Sequence, residues 1–294
     1  MKKEEIFKTL SEYKKILEEK GYNVIYIGLY GSQNYNVDDK LSDIDAKAII
    51  LPTLHDIIFR KVTSTTIECK DGTIDVKDLI TFYDVIRKGN FSYIESVDTE
   101  YSIGDKYIKE LFGQIRPNLK SILGAMHEKR KALTHEYPSK TEEFEKWGFD
   151  PKQYHHIVRL YDLLKDIKHT NETYSYLKYE DLDDKIYMKA IKRNLFNSSK
   201  EWVVEDSDKI IESAKKLVPE DYHYEPMDLS EEVSKYIEDR LKLELIKTNK
   251  IVCAREIRTF DNGVPKKDLE KFPILKKYGN DDISYIVYES IEIL

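Results

Sequence analysis

Apolar residues recur at helical spacing through the first twenty positions, with Ile6, Leu10, Tyr13, Ile16 and Leu17 on one stripe and Gly21 placed to stop it, which predicts a lid helix over 3–20. The period then changes. NVIYIGLYG (23–31) and IDAKAIIL (44–51) are β-branched, apolar runs bounded by turn residues and read as neighbouring strands, and TSTTIECKDGTIDVKDL (63–79) reads as a hairpin turning at Asp71-Gly72. Helical spacing returns from Leu79 and ends at Gly89. Beyond about residue 115 strand patterns thin out, and helices are predicted over 116–135, 151–169, 182–194, 200–217 and 229–248, with 136–151 (EYPSKTEEFEKWGFDP) as a connector. KIVCAREIRTF and DISYIVYESIEIL read as short strands on either side of a polar loop that holds Gly263, Pro265 and Pro273. No internal repeat or low-complexity tract interrupts this layout. It is α+β: a mixed strand-and-helix part over 1–115, a helical part over 116–248, and an extension over 249–294.

Composition narrows the class without naming a chemistry. The chain of 294 residues is 40% hydrophobic and 35% charged, as expected of a soluble cytoplasmic protein with a sizeable core. Its longest apolar run is far short of a membrane span, and the opening MKKEEIFKTLSEYKK carries acids that a secretory signal lacks. Cys69 and Cys253 stand far apart without metal-ligand spacing and are expected as reduced thiols. A net charge of −7 repels polyphosphate globally, so no strong general nucleic-acid binding is expected and any nucleotide must be held locally. The basic runs Lys129-Arg130-Lys131 and Lys189 to Arg193 are interleaved with acids and are read as solvated helix faces.

Two aspartates change the picture. Asp43 and Asp45 are two residues apart at the mouth of the second strand, so both project to one face about 7 Å apart, within reach of one cluster of hard cations. A surface turn in which Ser42-Asp43 caps the strand and Asp45 is merely exposed is the plain alternative. Gly31-Ser32 directly follows the first strand, where glycine lets the backbone approach a ligand and consecutive N–H groups can cradle an anion. A phosphate cradle beside an acid pair suits phosphoryl or nucleotidyl transfer. Asp75, four residues past Asp71 of the hairpin turn, is the candidate third acid, with Asp78 an offset competitor.

A second constellation lies in the helix over 151–169. Lys152, His156 and Arg159 fall at i, i+4 and i+7 on one narrow arc beside the core stripe of Ile157, Leu160, Leu164 and Ile167. Three such groups repel one another unless an anion or acids face them, and a triphosphate is a good candidate. The alternative is a surface ladder that pairs Arg159 with Asp162 or Asp166. His155 and His127 are given no role. No zinc spacing, nucleophile elbow or P-loop is present.

Gly31-Ser32, Asp43-x-Asp45 and a distal Asp75 together resemble the DNA polymerase beta-like nucleotidyltransferase superfamily, in particular its bacterial and phage branch with a helical second half. The branch reads Gly-Ser-x-x-aromatic-Gly and Ser-Asp-x-Asp; this chain reads GSQNYN and SDID, with Asn36 for the second glycine, a substitution suited to a left-handed position. DVKDLITFYDVIRKGNFSYIES (75–96) is similar to a branch segment with Asn-Pro and a following acid, here Phe91 and Glu95, and GFDPKQYHHIVRLYDLL (148–164) is similar to its Lys-x-x-x-His-x-x-Arg-Leu helix. The likeness spans 25 to about 195. It implies a small mixed β-sheet nucleotidyltransferase core with flanking helices as the catalytic domain (1–115), then a helical domain.

The resemblance implies a metal-dependent enzyme that moves a nucleoside monophosphate from an NTP, with ATP expected, to an acceptor hydroxyl and releases pyrophosphate. Asp43, Asp45 and Asp75 would be its catalytic residues and hold Mg²⁺ or Mn²⁺; Gly31, Ser32, Lys152, His156 and Arg159 would bind the nucleotide. The acceptor is left open among a small molecule, an RNA end and a protein. A nucleotide-binding regulatory protein without transfer activity is the rival; a metal phosphohydrolase is a weaker one, because such sites bring several histidines.

Overall fold

In the computed structural model, which describes residues 3–39, 42–136, 141–170, 176–247, 250–257 and 285–292, the N-terminal stripe forms α1 (Lys3–Glu19) and buries Ile6, Leu10, Tyr13 and Leu17. The chain continues through β1 (Val24–Tyr30), β2 (Asp45–Ile50), α2 (Leu54–Ile58), β3 (Ser64–Cys69), β4 (Gly72–Asp78), α3 (Leu79–Ile86), α4 (Phe91–Asp98), β5 (Ser102–Gly104) and α5 (Lys106–Phe112). The helical stretch holds α6 (Leu119–Leu133), α7 (Thr141–Trp147), α8 (Pro151–Thr170), α9 (Leu182–Lys192), α10 (Lys200–Leu217) and α11 (Ser230–Lys247), and β6 (Lys250–Ile257) and β7 (Tyr285–Glu292) follow. Residues 1–233 are one compact unit and 234–294 another; the expected division near 115 falls inside the first.

The α+β class stands. Five strands form a mixed sheet in the order β3-β4-β2-β1-β5, with β2 parallel to β4 and the pairs β1–β2, β1–β5 and β3–β4 antiparallel. Because side chains alternate along a strand, the sheet has two unlike faces. One carries Ile27, Leu29, Ala46, Ala48, Ile50, Ile74 and Val76 and packs under the apolar stripe of α1. Each fully buried Leu or Ile there is worth roughly 1.5–3 kcal/mol. The other face carries Gly28, Tyr30, Asp45, Lys47 and Asp75, aligned by the registers Gly28↔Lys47 and Tyr30↔Asp45 and the parallel register Lys47↔Asp75. α1 therefore lids the apolar face of the sheet, opposite Asp45 and Asp75, because its stripe matches that side.

α4 lies directly on the polar face. A Cβ at Gly28 would sit 1.7 Å from the Ser96 carbonyl oxygen, so only glycine lets β1 and α4 approach this closely. The helical stretch then buries Ile122 and Met126 of α6, Ile157, Leu160, Leu163, Leu164 and Ile167 of α8, and Ile211 and Ala214 of α10 in one cluster. A second cluster joins Tyr35 and Val37, from the turn after β1, to Phe149, Tyr154, Met188, Ile191 and Val203. The turn carrying the Gly-Ser motif is thus clamped between sheet and helices.

The five long helices of the helical half begin and end within three residues of the predicted bounds. α2, α4, α5, α7 and β5 are additions: all are short, and α7 lies inside the segment expected as a connector. α2 is held by the Thr53–Asp56 capping box. In the second unit β6 and β7 pair antiparallel from Lys250↔Glu292 to Ile257↔Tyr285, as the two apolar runs suggest; the polar loop with Gly263, Pro265 and Pro273 lies outside the described residues. Cys69 is a free thiol, and the side chain of Cys253 is outside the described set. Among the described residues no helix is long and apolar enough to cross a membrane.

Candidate functional site

A cavity of about 670 Å³ opens within the first unit, and Gly31, Ser32, Asp43, Asp45, Lys152, His156 and Arg159 all line it. Asp75 does not. It lines a neighbouring groove of about 380 Å³ with Ser64, Thr66, Thr73, Lys77 and Tyr93.

The turn after β1 supplies the first edge of the cavity. Gly31 has φ 112° and Asn36 φ 62°, the left-handed positions that glycine tolerates and asparagine visits. Both are fixed from a distance, Asn36 by an amide N–H that it donates to the Tyr179 carbonyl at 3.1 Å and Gly31 by an acid. Glu95 of α4, buried to 1% exposure, accepts the Gly31 N–H at 2.7 Å and an Asn34 amide N–H at 3.0 Å, and also accepts the Tyr35 hydroxyl. Burial raises the Glu95 carboxyl above its ordinary value, against the pull of Arg159, Tyr35 and the Gly31 N–H. The Gly31 N–H is therefore spent on Glu95 rather than presented to a phosphate, which leaves Ser32 as the motif's donor at the cavity.

The acid pair forms the second edge. Asp43 is exposed, and its backbone carbonyl accepts from the Gln33 amide at 2.7 Å. Asp45 is half-buried, and its Oδ1 accepts both the Thr73 N–H at 3.1 Å and the Thr73 hydroxyl at 2.7 Å, which leaves Oδ2 uncommitted by those bonds. Asp45 is thus an oriented carboxylate and not merely an exposed one. Two carboxylates on one rim are the oxygen-donor chemistry of a hard divalent cation such as Mg²⁺ or Mn²⁺, so Asp43 and Asp45 fit that role.

Asp75 does not fit it. Its carboxylate accepts from Lys47 Nζ at 3.1 Å and from the Tyr93 hydroxyl at 2.7 Å, with Lys77 Nζ at 3.6 Å. Lys47 is itself caged: its ammonium lies 4.2 Å from the Tyr30 ring centroid and 4.1 Å from that of Tyr93, with the side chain 7% exposed. Burial lowers Lys47, which has lost more hydration than Asp75; burial raises Asp75, but Lys47, Tyr93 and Lys77 more than reverse it and hold the carboxyl below its usual value. Among the described residues no three His, Cys, Asp or Glu side chains gather as a metal-holding group. The expected three-acid cluster is two acids and an internal ion pair.

The helical half supplies a further wall of the cavity. Asp150, whose Oδ1 accepts the Lys152 N–H at 2.9 Å, caps α8, and Pro151 takes its first position, both favoured at helix starts. This sets Lys152, His155, His156 and Arg159 on the first three turns, where all four line the cavity. Arg159 is 4% exposed, its guanidinium carbon 4.0 Å from the Tyr35 ring centroid, and its Nε and Nη1 have no hydrogen-bond partner. No ladder to the acids of its own helix forms; Asp162 instead accepts the Tyr179 hydroxyl at 2.9 Å and pairs with Lys165 at 2.7 Å. Both ring nitrogens of His155 and Nδ1 of His156 are also buried without a partner. Burial, then the neighbouring cations, pushes His155 down to about 3 and His156 well below its usual value.

Lys129, Lys192 and Arg193 complete this wall, although their runs read as solvated faces. Only part of that reading holds: Arg130 pairs with Asp208 at 2.8 Å and Lys131 with Glu128 at 3.0 Å. Lys129 falls on the buried stripe of α6, one turn from both Met126 and Leu133, and that spacing was the available signal. Burial and then the Arg159 and Lys152 charges lower Lys129. Lys192, also lowered by burial, donates to Ser42 Oγ at 2.9 Å, and Arg193 holds Asp39 through bonds of 2.8 to 3.0 Å. Buried Arg159 and half-buried Lys129, Lys152 and Lys192 line one cavity with two carboxylates, a set that can hold a polyanion and its counter-cation.

No family model matches the chain, and no curated protein matches it either. Among solved structures, a nucleotidyltransferase-like protein from Exiguobacterium sibiricum 255-15 is similar over 95% of this chain and 98% of its own, at 13% identity and a TM-score of 0.24. At that score the likeness carries no argument about fold or activity.

Proposed function

We propose that the first unit is a nucleotidyltransferase that takes an NTP, with ATP expected, and moves its nucleoside monophosphate onto an acceptor hydroxyl. One observation carries the reading: Asp43 and Asp45 line one cavity together with Lys129, Lys152, Arg159 and Lys192. A triphosphate with its divalent counter-cation matches both walls, since phosphate oxygens take charge-assisted hydrogen bonds from the cations and share the divalent ion with the carboxylates.

Each group then has a role. Arg159 and Lys152 would grip the polyphosphate and stabilise charge that develops on the leaving pyrophosphate, and Ser32 would donate from the turn after β1. Glu95 and Tyr35 would fix Arg159 and that turn relative to one another. Asp43 and Asp45 would hold Mg²⁺ or Mn²⁺, which when bound supplies charge neutralisation at the phosphates. In the reaction the acceptor oxygen bonds to the α-phosphorus, the bond from that phosphorus to the α,β-bridging oxygen breaks, pyrophosphate leaves, and the hydroxyl proton passes to solvent.

A binding role without transfer is the second reading, favoured by the Lys47–Asp75 pair, which leaves no third carboxylate free for chemistry. The two separate cleanly. The protein is incubated with Mg²⁺, a cell extract and ATP labelled at either the α or the γ phosphate. Label from the α position on a metabolite or macromolecule, with γ label appearing in pyrophosphate, supports transfer. Nucleotide retained with no label moved selects the binding role, and movement of γ label to an acceptor contradicts both.

A further inference from the structure

The Lys47–Asp75 pair sits where a second divalent cation would need a ligand. Lys47 follows Asp45 by two residues on the same sheet face and is opposite Asp75 in register. It lines the main cavity, while its ammonium reaches Asp75 and rests between two aromatic rings. For Asp75 to ligate a metal shared with Asp45, this ammonium would have to leave its carboxylate and both ring faces, in a site where Lys77 adds a further positive charge. Cation–π contacts gain strength when desolvated, as here, and an ammonium left beside an incoming dication would repel it.

We infer that this protein binds its nucleotide with a single divalent cation, on Asp43 and Asp45, and that Lys47 provides the fixed positive charge where a second cation would otherwise sit. Asp75 is then a positioning residue that anchors Lys47 and not a metal ligand. This inference rests on the proposed nucleotide site and deepens it: the charge of Asp75 is balanced within the fold, so that carboxylate adds no demand for external cation.

The test counts metal. The full chain is saturated with the non-hydrolysable α,β-methylene analogue of ATP, and bound Mn²⁺ is read from the loss of the free-ion electron paramagnetic resonance signal. One Mn²⁺ per nucleotide-bound chain is expected, and the count should stay at one in Asp75→Asn. Lys47→Met, which frees Asp75, should admit a second ion. Two ions in the unaltered protein, a lost ion in Asp75→Asn, or a folded Lys47→Met protein that still takes only one would each overturn the assignment. Should Lys47→Met fail to fold, the first two measurements still decide it. A chain that retains no nucleotide at any Mn²⁺ concentration fails the underlying reading, and this inference with it; two ions with nucleotide bound fail this inference alone.

Discussion

The Glu95 carboxylate accepts the Gly31 N–H at 2.7 Å, which ties the turn after the first strand to a helix 64 residues away. The same carboxylate holds Asn34 and Tyr35, and Tyr35 supports Arg159 through its ring. A single buried acid thus sets the spacing between the turn and the cationic wall.

Loss of that acid should be costly. Glu95→Ala leaves the Gly31 N–H and one Asn34 N–H without that acceptor, so it should destabilise the fold by roughly 1–3 kcal/mol for each buried donor left unsatisfied. Glu95→Gln keeps an acceptor oxygen and should cost less. Urea unfolding of both variants checks the order; equal, small losses would mean that Glu95 is not the anchor.

Among the described residues Arg159 has no salt-bridge partner, so its main contribution should appear on ligand binding. Arg159→Ala should weaken ATP or pyrophosphate binding by roughly 1.5–3 kcal/mol, the scale of a charge-assisted hydrogen bond. Mutual repulsion of Lys129, Lys152, Arg159 and Lys192 should be relieved by pyrophosphate. At a hundred times its Kd it should add about 2.7 kcal/mol and raise Tm by roughly 5–11 °C. Calorimetry and a thermal scan measure both; an Arg159→Ala protein with unchanged affinity would take α8 out of the site.

Buried His155 and half-buried His156 predict a pH dependence. In the unfolded chain a histidine protonates near 6.5, while folded His155 does so only near about 3 and His156 is also well depressed. Between those values the unfolded state binds more protons, so this stability is complete above about pH 6.5 and is lost as pH falls toward 3. Glu95, raised by burial, acts with the opposite sign and offsets part of the loss. The urea midpoint should therefore fall from pH 7 to pH 5, and fall less in the His155→Gln, His156→Gln double variant. An identical slope in both proteins would place the effect elsewhere.

Much of this arrangement is legible in sequence where one element carries the whole signal. α8 shows its core stripe and its cationic arc in a single helical period, and Asn36 in GSQNYN fits its left-handed φ of 62°. What depends on two elements is not. The Lys47–Asp75 pair needs the parallel register of β2 with β4, and no local pattern encodes it. Glu95 matches the acid of the branch segment, but its bonds to the turn after β1 appear only once α4 is set against β1 through Gly28. Lys129 and Lys192 read as surface lysines because charge in a mixed run is usually solvated, and only packing against α8 turns them inward. The short α2 and α7 span too few residues for a period to show.

The cooperation of the two walls is tested most directly by ATP affinity in Mg²⁺ and in excess chelator, compared between the unaltered protein and Asp45→Asn. The asparagine can keep an oxygen for the Thr73 bonds, so the fold should persist while the charge is lost. The unaltered protein should bind at least about tenfold more weakly in chelator, or 1.4 kcal/mol, with residual affinity from the cations of α6, α8 and α9. Asp45→Asn should bind in Mg²⁺ about as the unaltered protein does without it. Equal affinity of the unaltered protein with and without Mg²⁺ would contradict an acid pair that acts together with the cationic wall.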